Sequence, residues 1–445
     1  MNRLFYILLL AIATSCASNE QARYSWEEDL HHRLLCDFTK SKDEVKAYIQ
    51  KYIPNVSDQQ MDEWEKRNAL ECKIIDNKKL YFQNAASNLF RIDRACAQIK
   101  AEKDGVGSSG SEEVDKTNVP QIIRLTEQGD NTPQNLALPK RMRVTYTLTV
   151  NADAVPAGEK IRCWLPFPRK DINRQTDVRL LSTSEKTFQY SNPKCKHSTV
   201  YMEKTAEAGK PTVFSESFEY TSYGAFYDLE NREIKPYDTK SELYKTYTAE
   251  REKHIRFTPR LRQLADSLTA GITEPLKKAQ KIFRWINATF PWASAREYST
   301  IDNIPEYVLE NRHGDCGQVS LLFITLCRIC GIPAHFQSGF MMHPGAWNLH
   351  DWAEIYFEGI GWVPVDQSFG IPSYAANEKE EMFFLGGIDS WRMVVNNDYG
   401  MELSPKKKYP RSETVDFQRG EVEWQGGNLY FDQWDYRMKI EYLDK

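Results

Sequence analysis

The spacing of apolar residues changes character several times along this chain, and each change predicts a different kind of element. Through residues 24–102 the period is helical. Val45, Tyr48, Ile49 and Tyr52 recur at i, i+3, i+4 and i+7 and so line one helical face. Ser41 with Glu44, and Ser57 with Gln60, have capping-box spacing, while Pro54 stops the helix before it. From 103 to 140 the chain turns to Gly, Ser, Asn, Asp and Pro, including Gly105-Val106-Gly107-Ser108-Ser109-Gly110, which predicts a linker or a long exposed loop. At Arg141 the period becomes two. Val144, Tyr146, Leu148 and Val150 alternate with Arg143, Thr145, Thr147 and Thr149, and further strand-like segments follow at 161–165 and 213–220. A β-sandwich is expected over 141–228.

Helical spacing returns near Leu261. Thr273 can cap a helix that carries Pro275 in its first turn and Leu276, Ala279, Ile282, Phe283 and Ile286 as its apolar stripe. A second helix, 316–330, is apolar nearly all round and is expected to be buried centrally. A strand hairpin is expected over 350–368, and the tail 391–442 is aromatic and strand-like. The expected class is α+β, with a helix buried against antiparallel strands.

The first sixteen residues differ from the rest. Arg3 precedes an apolar stretch, Leu4 to Ala13, that is too short to span a bilayer. Ala13-Thr14-Ser15 then leads directly to Cys16. That pattern resembles the lipobox of bacterial lipoproteins, which implies lipidation of Cys16 and an exported, membrane-anchored protein; an ordinary secretory peptide with an incidental cysteine is the alternative. No later segment approaches eighteen consecutive apolar residues, so membrane attachment is expected through the anchor only. The expected organisation is a leader (1–16), a helical region (17–102), a linker (103–140), a sandwich (141–228), a core (229–390) and a β-rich extension (391–445).

Composition narrows the function. With 41% hydrophobic and 27% charged residues the chain is ordinary for a globular protein. A net charge of −4 and a pI near 6.1 give no basic face, so nucleic acid is not an expected partner. An exported location permits disulfides, and Cys163 with Cys195 is the pair worth considering.

Three residues carry the candidate chemistry. Asp315 is a plausible N-cap with Gln318 at the reciprocal position, which puts Cys316 in the first turn of the buried helix. There the unpaired N–H groups and the helix dipole favour a thiolate, and Asp315 opposes them. His350 opens His350-Asp351-Trp352-Ala353-Glu354, and Asp366 closes Gly361-Trp362-Val363-Pro364-Val365-Asp366. If the intervening turn is Glu358-Gly359-Ile360, Phe357 pairs with Gly361 and His350 is diagonal to Asp366 on one face, roughly 7–8 Å away at the backbone. A two-residue turn puts them on opposite faces. Cysteine, histidine and carboxylate are what acyl transfer needs: a nucleophile, a proton carrier and a group that fixes the imidazole tautomer. The Cys316 N–H and the Trp292 indole are candidate oxyanion donors.

Gly314-Asp315-Cys316-Gly317, Cys330-Gly331-Ile332-Pro333-Ala334, Trp347-Asn348-Leu349-His350-Asp351-Trp352-Ala353-Glu354 and Gly361-Trp362-Val363-Pro364-Val365-Asp366 follow one another within the stretch from about Leu276 to Phe369. In that order they resemble the transglutaminase-like core, which is related in architecture to papain-like cysteine proteases. The resemblance implies that Cys316 is the nucleophile, His350 the base and Asp366 the orienting carboxylate. It further implies a thioester formed from a glutamine side chain or peptide-like amide, resolved by an amine or by water. Gln367 and His335 depart from the family's usual proline and arginine. A protein or peptide substrate is expected, with no cofactor and no metal. The competing reading is a non-catalytic module of this fold that binds a peptide or cell-wall ligand. Cys327-Arg328-Ile329-Cys330 is expected to pack in the core, His31 and His32 to lie on a solvated face, and His343 to be a loop residue near the groove.

Overall fold

The computed structural model describes residues 24–105, 109–129 and 135–444. The expected leader and Cys16 lie outside the described residues.

The N-terminal region contains α1 (Trp26–Asp37), α2 (Lys42–Gln50), α3 (Asp58–Lys66), α4 (Ala85–Ile92) and α5 (Arg94–Asp104) around its own apolar core of Phe38, Ile49, Met61, Phe82 and Leu89. Both capping boxes form, at Ser41/Glu44 and Ser57/Gln60. The region is not wholly helical: β1 (Cys72–Ile75) and β2 (Lys78–Tyr81) make a hairpin. Asp76 and Asn77 turn it, both at positive φ, as a type I′ turn requires.

Residues 103–140 are not a linker. Gly110–Gln128 forms α6, capped by Ser109 and seated by buried Val119, Ile122 and Ile123. Composition misled because these apolar residues, spaced three and four apart, are diluted by Ser, Asn and Pro.

The sandwich is built from β3 (Leu136–Val150), β4 (Lys160–Pro166), β5 (Gln175–Thr183), β6 (Gln189–Tyr190), β7 (Thr199–Thr205) and β8 (Thr212–Phe226). Past it come α7 (Glu242–Tyr247), α8 (Pro259–Leu268), α9 (Pro275–Thr289), α10 (Ile304–Asn311), α11 (Cys316–Ile329), β9 (Ala334–Met341), β10 (Asn348–Phe357), β11 (Gly361–Val365), α12 (Glu378–Glu381), β12 (Gly387–Ile388) and β13 (Arg392–Asn396). The chain closes with β14 (Glu421–Trp424), β15 (Gly427–Leu429) and β16 (Trp434–Tyr442). The tail is therefore not an extension. β13 joins the core sheet, order β11-β10-β9-β13, whereas β16 pairs along β3 and β14 along β4 to complete the two sandwich sheets. The α9 cap is Glu274 rather than Thr273, one residue later than expected; its stripe from Leu276 to Ile286 is buried as the pattern requires.

Central burial of α11 follows from its sequence. Val319, Leu321, Leu322, Phe323, Ile324, Leu326 and Cys327 are all buried, packed against α8, α9, α10 and the strands β9 and β10. The described cysteines are all free thiols, Cys163 and Cys195 included. Among the described residues no helix is long and apolar enough to cross a membrane.

Candidate active site

The hairpin of β10 and β11 has the three-residue turn: Phe357 pairs with Gly361, Ile355 with Val363 and Ala353 with Val365. One step further along, the register sets Asp366 beside Trp352 and diagonal to His350. The side chains meet, His350 Nε2 lying 2.7 Å from Asp366 Oδ2. The second carboxylate oxygen, Oδ1, accepts the Ser368 and Phe369 backbone N–H groups at 3.0 Å each. His350 is packed between Trp352, stacked at 5.9 Å, and Phe369, edge-on at 5.0 Å. Anchoring Nε2 in this way leaves Nδ1 as the ring nitrogen on the cavity side.

Asp315 and Gln318 form the reciprocal capping box that starts α11. Cys316 is the first helical residue, half-buried, and its Sγ lies 3.5 Å from Asp351 Oδ2. Strand alternation explains that partner: Asp351 shares a face of β10 with Ala353 and Ile355, which pack on the α11 side, while His350 and Trp352 point to the other face. The three candidate residues are thus not in one hydrogen-bonded line. His350 and Asp366 are paired, and Cys316 shares with His350 the wall of a cavity of about 490 Å³. A second cavity, about 370 Å³, shares part of its wall with the first; Trp292, Cys316, Asn348 and Leu349 border both. The two are adjoining lobes that share these four residues. Glu297, Asp315, Asp351, Glu413 and Asp416 make the second lobe acidic, with Arg296 and Arg419 among them.

Burial pushes the Cys316 thiol well above its usual range, and the Asp351 and Asp315 carboxyls push it further. This reverses the sign expected from the helix dipole: the carboxyl groups and lost solvation outweigh a half-charge at the helix start. Asp315 is itself raised to about 6 by burial, against hydrogen bonds from Tyr298 and the Gln318 N–H. His350 is held below its ordinary value, first by burial; Asp366 works against that and the Arg392 guanidinium with it. Burial alone would raise Asp366, but His350 and Arg392 outweigh it and keep the carboxyl well below the carboxylate range. At neutral pH the resting site accordingly holds a thiol, a neutral imidazole and a carboxylate.

Trp292 stands on the rim, its ring under the Arg91 guanidinium at 4.6 Å, on a segment that bridges to Gly314 beside the helix start. The N-terminal region fastens this rim: Asn88 exchanges two hydrogen bonds with Ser294, and Asp37 accepts the Glu297 N–H.

Sequence reasoning missed Asp115, Asp389 and Arg392 altogether and gave His343 no role. His343 is fully buried, its Nε2 3.1 Å from Asp115 Oδ1 and 3.4 Å from Asp389 Oδ1. Those three groups come close enough for a divalent ion. Yet His343 Nδ1 is buried without a partner, where a metal-bound imidazole hands that N–H to an acceptor, and Asp389 is already balanced by Arg392. The donor set fits a proton between carboxylates better than a metal. A second group, His32, Cys36 and Asp432, lies at the surface, where His31 and His32 also pair with Asp76 and Asp432. Cys327 packs in the core as its apolar helix requires.

Residues 262–367 match the model of the transglutaminase-like superfamily. An uncharacterized protein of Haemophilus influenzae is 26% identical over 155 residues, 27% of this chain and 41% of that protein, so the match spans less than half of that relative. Among solved structures, a candidate cysteine protease of Cytophaga hutchinsonii is 14% identical with a TM-score of 0.46, covering 70% of this chain and 93% of its own. The periplasmic domain of TgpA from Pseudomonas aeruginosa is 16% identical with a TM-score of 0.29, covering 59% and 96%.

Proposed function

Residues 262–367 being a transglutaminase-like domain, we propose that this chain is a cysteine acyltransferase or amide hydrolase with Cys316 as nucleophile, His350 as base and Asp366 as the carboxylate that orients it. The observation that carries the reading is the buried 2.7 Å pair of His350 Nε2 and Asp366 Oδ2, with His350 on the wall of a cavity that Cys316 also borders. Because thiol and imidazole are both neutral at rest, the proton moves during attack rather than before it. As a substrate amide enters, Sγ turns from Asp351 toward the imidazole, the S–C bond forms and His350 Nδ1 takes the thiol proton. The C–N bond then breaks, that proton leaves with the amine, and a thioester remains on Cys316. An amine or a water attacks the thioester next, giving a new amide or an acid. The Cys316 N–H and the Trp292 indole are the proposed donors to the oxyanion. Two lobes that both border Cys316 suit a glutamine side chain or peptide-like amide presented by a protein or peptide that crosses the groove.

Replacing Cys316 by Ala is expected to abolish labelling by an electrophilic glutamine mimic. Labelling at the full wild-type level would remove Cys316 as nucleophile. The sulfur's hydrogen bond to Asp351 is the one feature that favours a non-catalytic binding module; a folded wild-type protein that never labels yet binds peptides would support that instead. Export with a lipid on Cys16 is proposed from the leader, and a Cys16→Ser chain that still takes up an alkyne-tagged fatty acid would refute it.

A further inference from the structure

Behind the His350–Asp366 pair runs a line of buried polar groups in which carboxyls alternate with a guanidinium and an imidazole. Asp366 Oδ2 lies 2.8 Å from Arg392 Nη1. The other side of the same guanidinium holds Asp389 Oδ2, with Nε at 2.7 Å and Nη2 at 2.5 Å. Asp389 Oδ1 continues to His343 Nε2 at 3.4 Å, and His343 to Asp115 of α6 at 3.1 Å. Arg392, Asp366, Asp389 and His343 are completely buried and Asp115 is 1% exposed. Phe369 seals the line from one side, its ring 4.3 Å from the guanidinium and 5.0 Å from the His350 ring.

We infer that Arg392 is a positioning residue: its guanidinium spans Asp366 and Asp389, fixes the Asp366 carboxylate against His350, and ties that pair through His343 to Asp115 on α6. The inference rests on the triad reading above. Three features support it. A guanidinium presents two edges in a rigid plane and can hold two carboxylates at once, whereas an ammonium is a point charge. Three buried carboxylates with one permanent cation would be strongly unfavourable unless each shared a donor, and along this line each does. The backbone also makes room for the contact: a Cβ on Gly339, the residue between His350 on β10 and Val394 on β13, would lie 1.9 Å from the Met393 carbonyl oxygen. Only glycine there lets β13 bring Arg392 in. Three of the five residues on the line (Asp115, Asp389 and Arg392) lie outside the matched 262–367 segment, so the line joins that segment to parts of the chain on either side of it.

The charges that act on His350 are those of Asp366 at the end of β11 and of Arg392 and Asp389 on and before β13; Cys316, Arg91 and Glu112 border the same cavity, Asp351 is next on its strand, Asp315 precedes α11, and Asp115 and His343 stand further along the line. Arg392 disfavours the imidazolium and Asp389 favours it. Their removal must therefore move His350 in opposite directions. The test is the pH dependence of Cys316 acylation by p-nitrophenyl acetate in the full chain, followed as the nitrophenolate burst, with Cys316→Ala as reference. The acid limb reports loss of the neutral imidazole. Arg392→Met is expected to shift that limb up by about one pH unit, and Asp389→Asn to shift it down. Arg392→Lys keeps the charge but not the fork, so its limb should stay while its rate falls about 10- to 100-fold. Should Arg392→Met fail to fold, Arg392→Lys and Asp389→Asn still decide. Limbs of Arg392→Met and Asp389→Asn that stay at the wild-type position, or that move together, overturn the positioning role, as does a wild-type rate in Arg392→Lys. A burst that survives Cys316→Ala overturns the triad reading instead.

Discussion

Replacing Asp366 by Asn tests the carboxylate at nearly constant shape. Asp366 accepts three hydrogen bonds, from His350 Nε2 on Oδ2 at 2.7 Å and from the Ser368 and Phe369 N–H groups on Oδ1 at 3.0 Å, and its Oδ2 is ion-paired with Arg392 Nη1 at 2.8 Å. Asn retains one acceptor oxygen. If that oxygen keeps the two backbone donors, the amide NH2 faces both the imidazole and the guanidinium, donor against donor. The imidazole can relieve this by moving its proton to Nδ1, which then confronts the thiol with a hydrogen and cannot accept one. A histidine locked in the wrong tautomer costs a serine protease roughly 10,000-fold, and a loss of roughly 1,000- to 10,000-fold, about 4–5.5 kcal/mol of transition-state stabilisation, is expected of this chain. Folding should suffer less. Arg392 keeps Asp389, so the penalty is that of one buried polar partner lost, about 1–3 kcal/mol. Stopped-flow measurement of the p-nitrophenyl acetate burst, alongside thermal melts, separates the two effects. A folded Asn variant with a burst rate close to wild type would refute the assignment of Asp366.

Two further outcomes are expected. Asp37 is pushed up to about 7, chiefly by burial and then by Glu297. Its stabilising contribution is complete below the unfolded carboxylate pKa of about 3.9 and is lost as pH rises through about 7. Asp37→Asn should consequently be more stable than wild type at about pH 8.5, by at most about 4 kcal/mol in denaturant titrations, with the gap closing toward about pH 4; a constant gap between those values would contradict the assignment. Gly317→Ala would gain about 0.5–1 kcal/mol from helix propensity alone. Its Cβ would fall 2.4 Å from the Tyr298 hydroxyl and 2.6 Å from Asp351 Oδ2, so a net loss of about 1–3 kcal/mol in denaturant titrations is expected; a gain would show that this packing gives way.

What the sequence made legible was local. Capping boxes at Ser41, Ser57 and Asp315 are read within four residues, and all three form. The turn at Gly359 carries its register with it, because a period-two element leaves only two choices of face, and the observed pairing of Phe357 with Gly361 is the one that brings His350 to Asp366. Composition was a poorer guide than periodicity at 103–140, where Val119, Ile122 and Ile123 seat a helix. Long-range partners were invisible. Nothing near Arg392 announces that it pairs with Asp366, and nothing near Asp115 announces His343, because those contacts exist only once β13 and α6 are in place. The Cys316 thiol was only half legible for the same reason: the helix start and Asp315 are local, but the burial that raises the thiol most, and the β10 carboxyl of Asp351 that adds to it, come with the tertiary fold.

The edge position of β13 has a practical side. It forms the outer strand of the core sheet and contributes Arg392, but it follows the matched segment by some twenty-five residues of chain. A fragment trimmed to 262–367 would keep cysteine, histidine and aspartate while exposing the open flank of β9 to other chains, a template for aggregation. Recombinant work on this protein should start from boundaries that retain both α6 and the C-terminal strands.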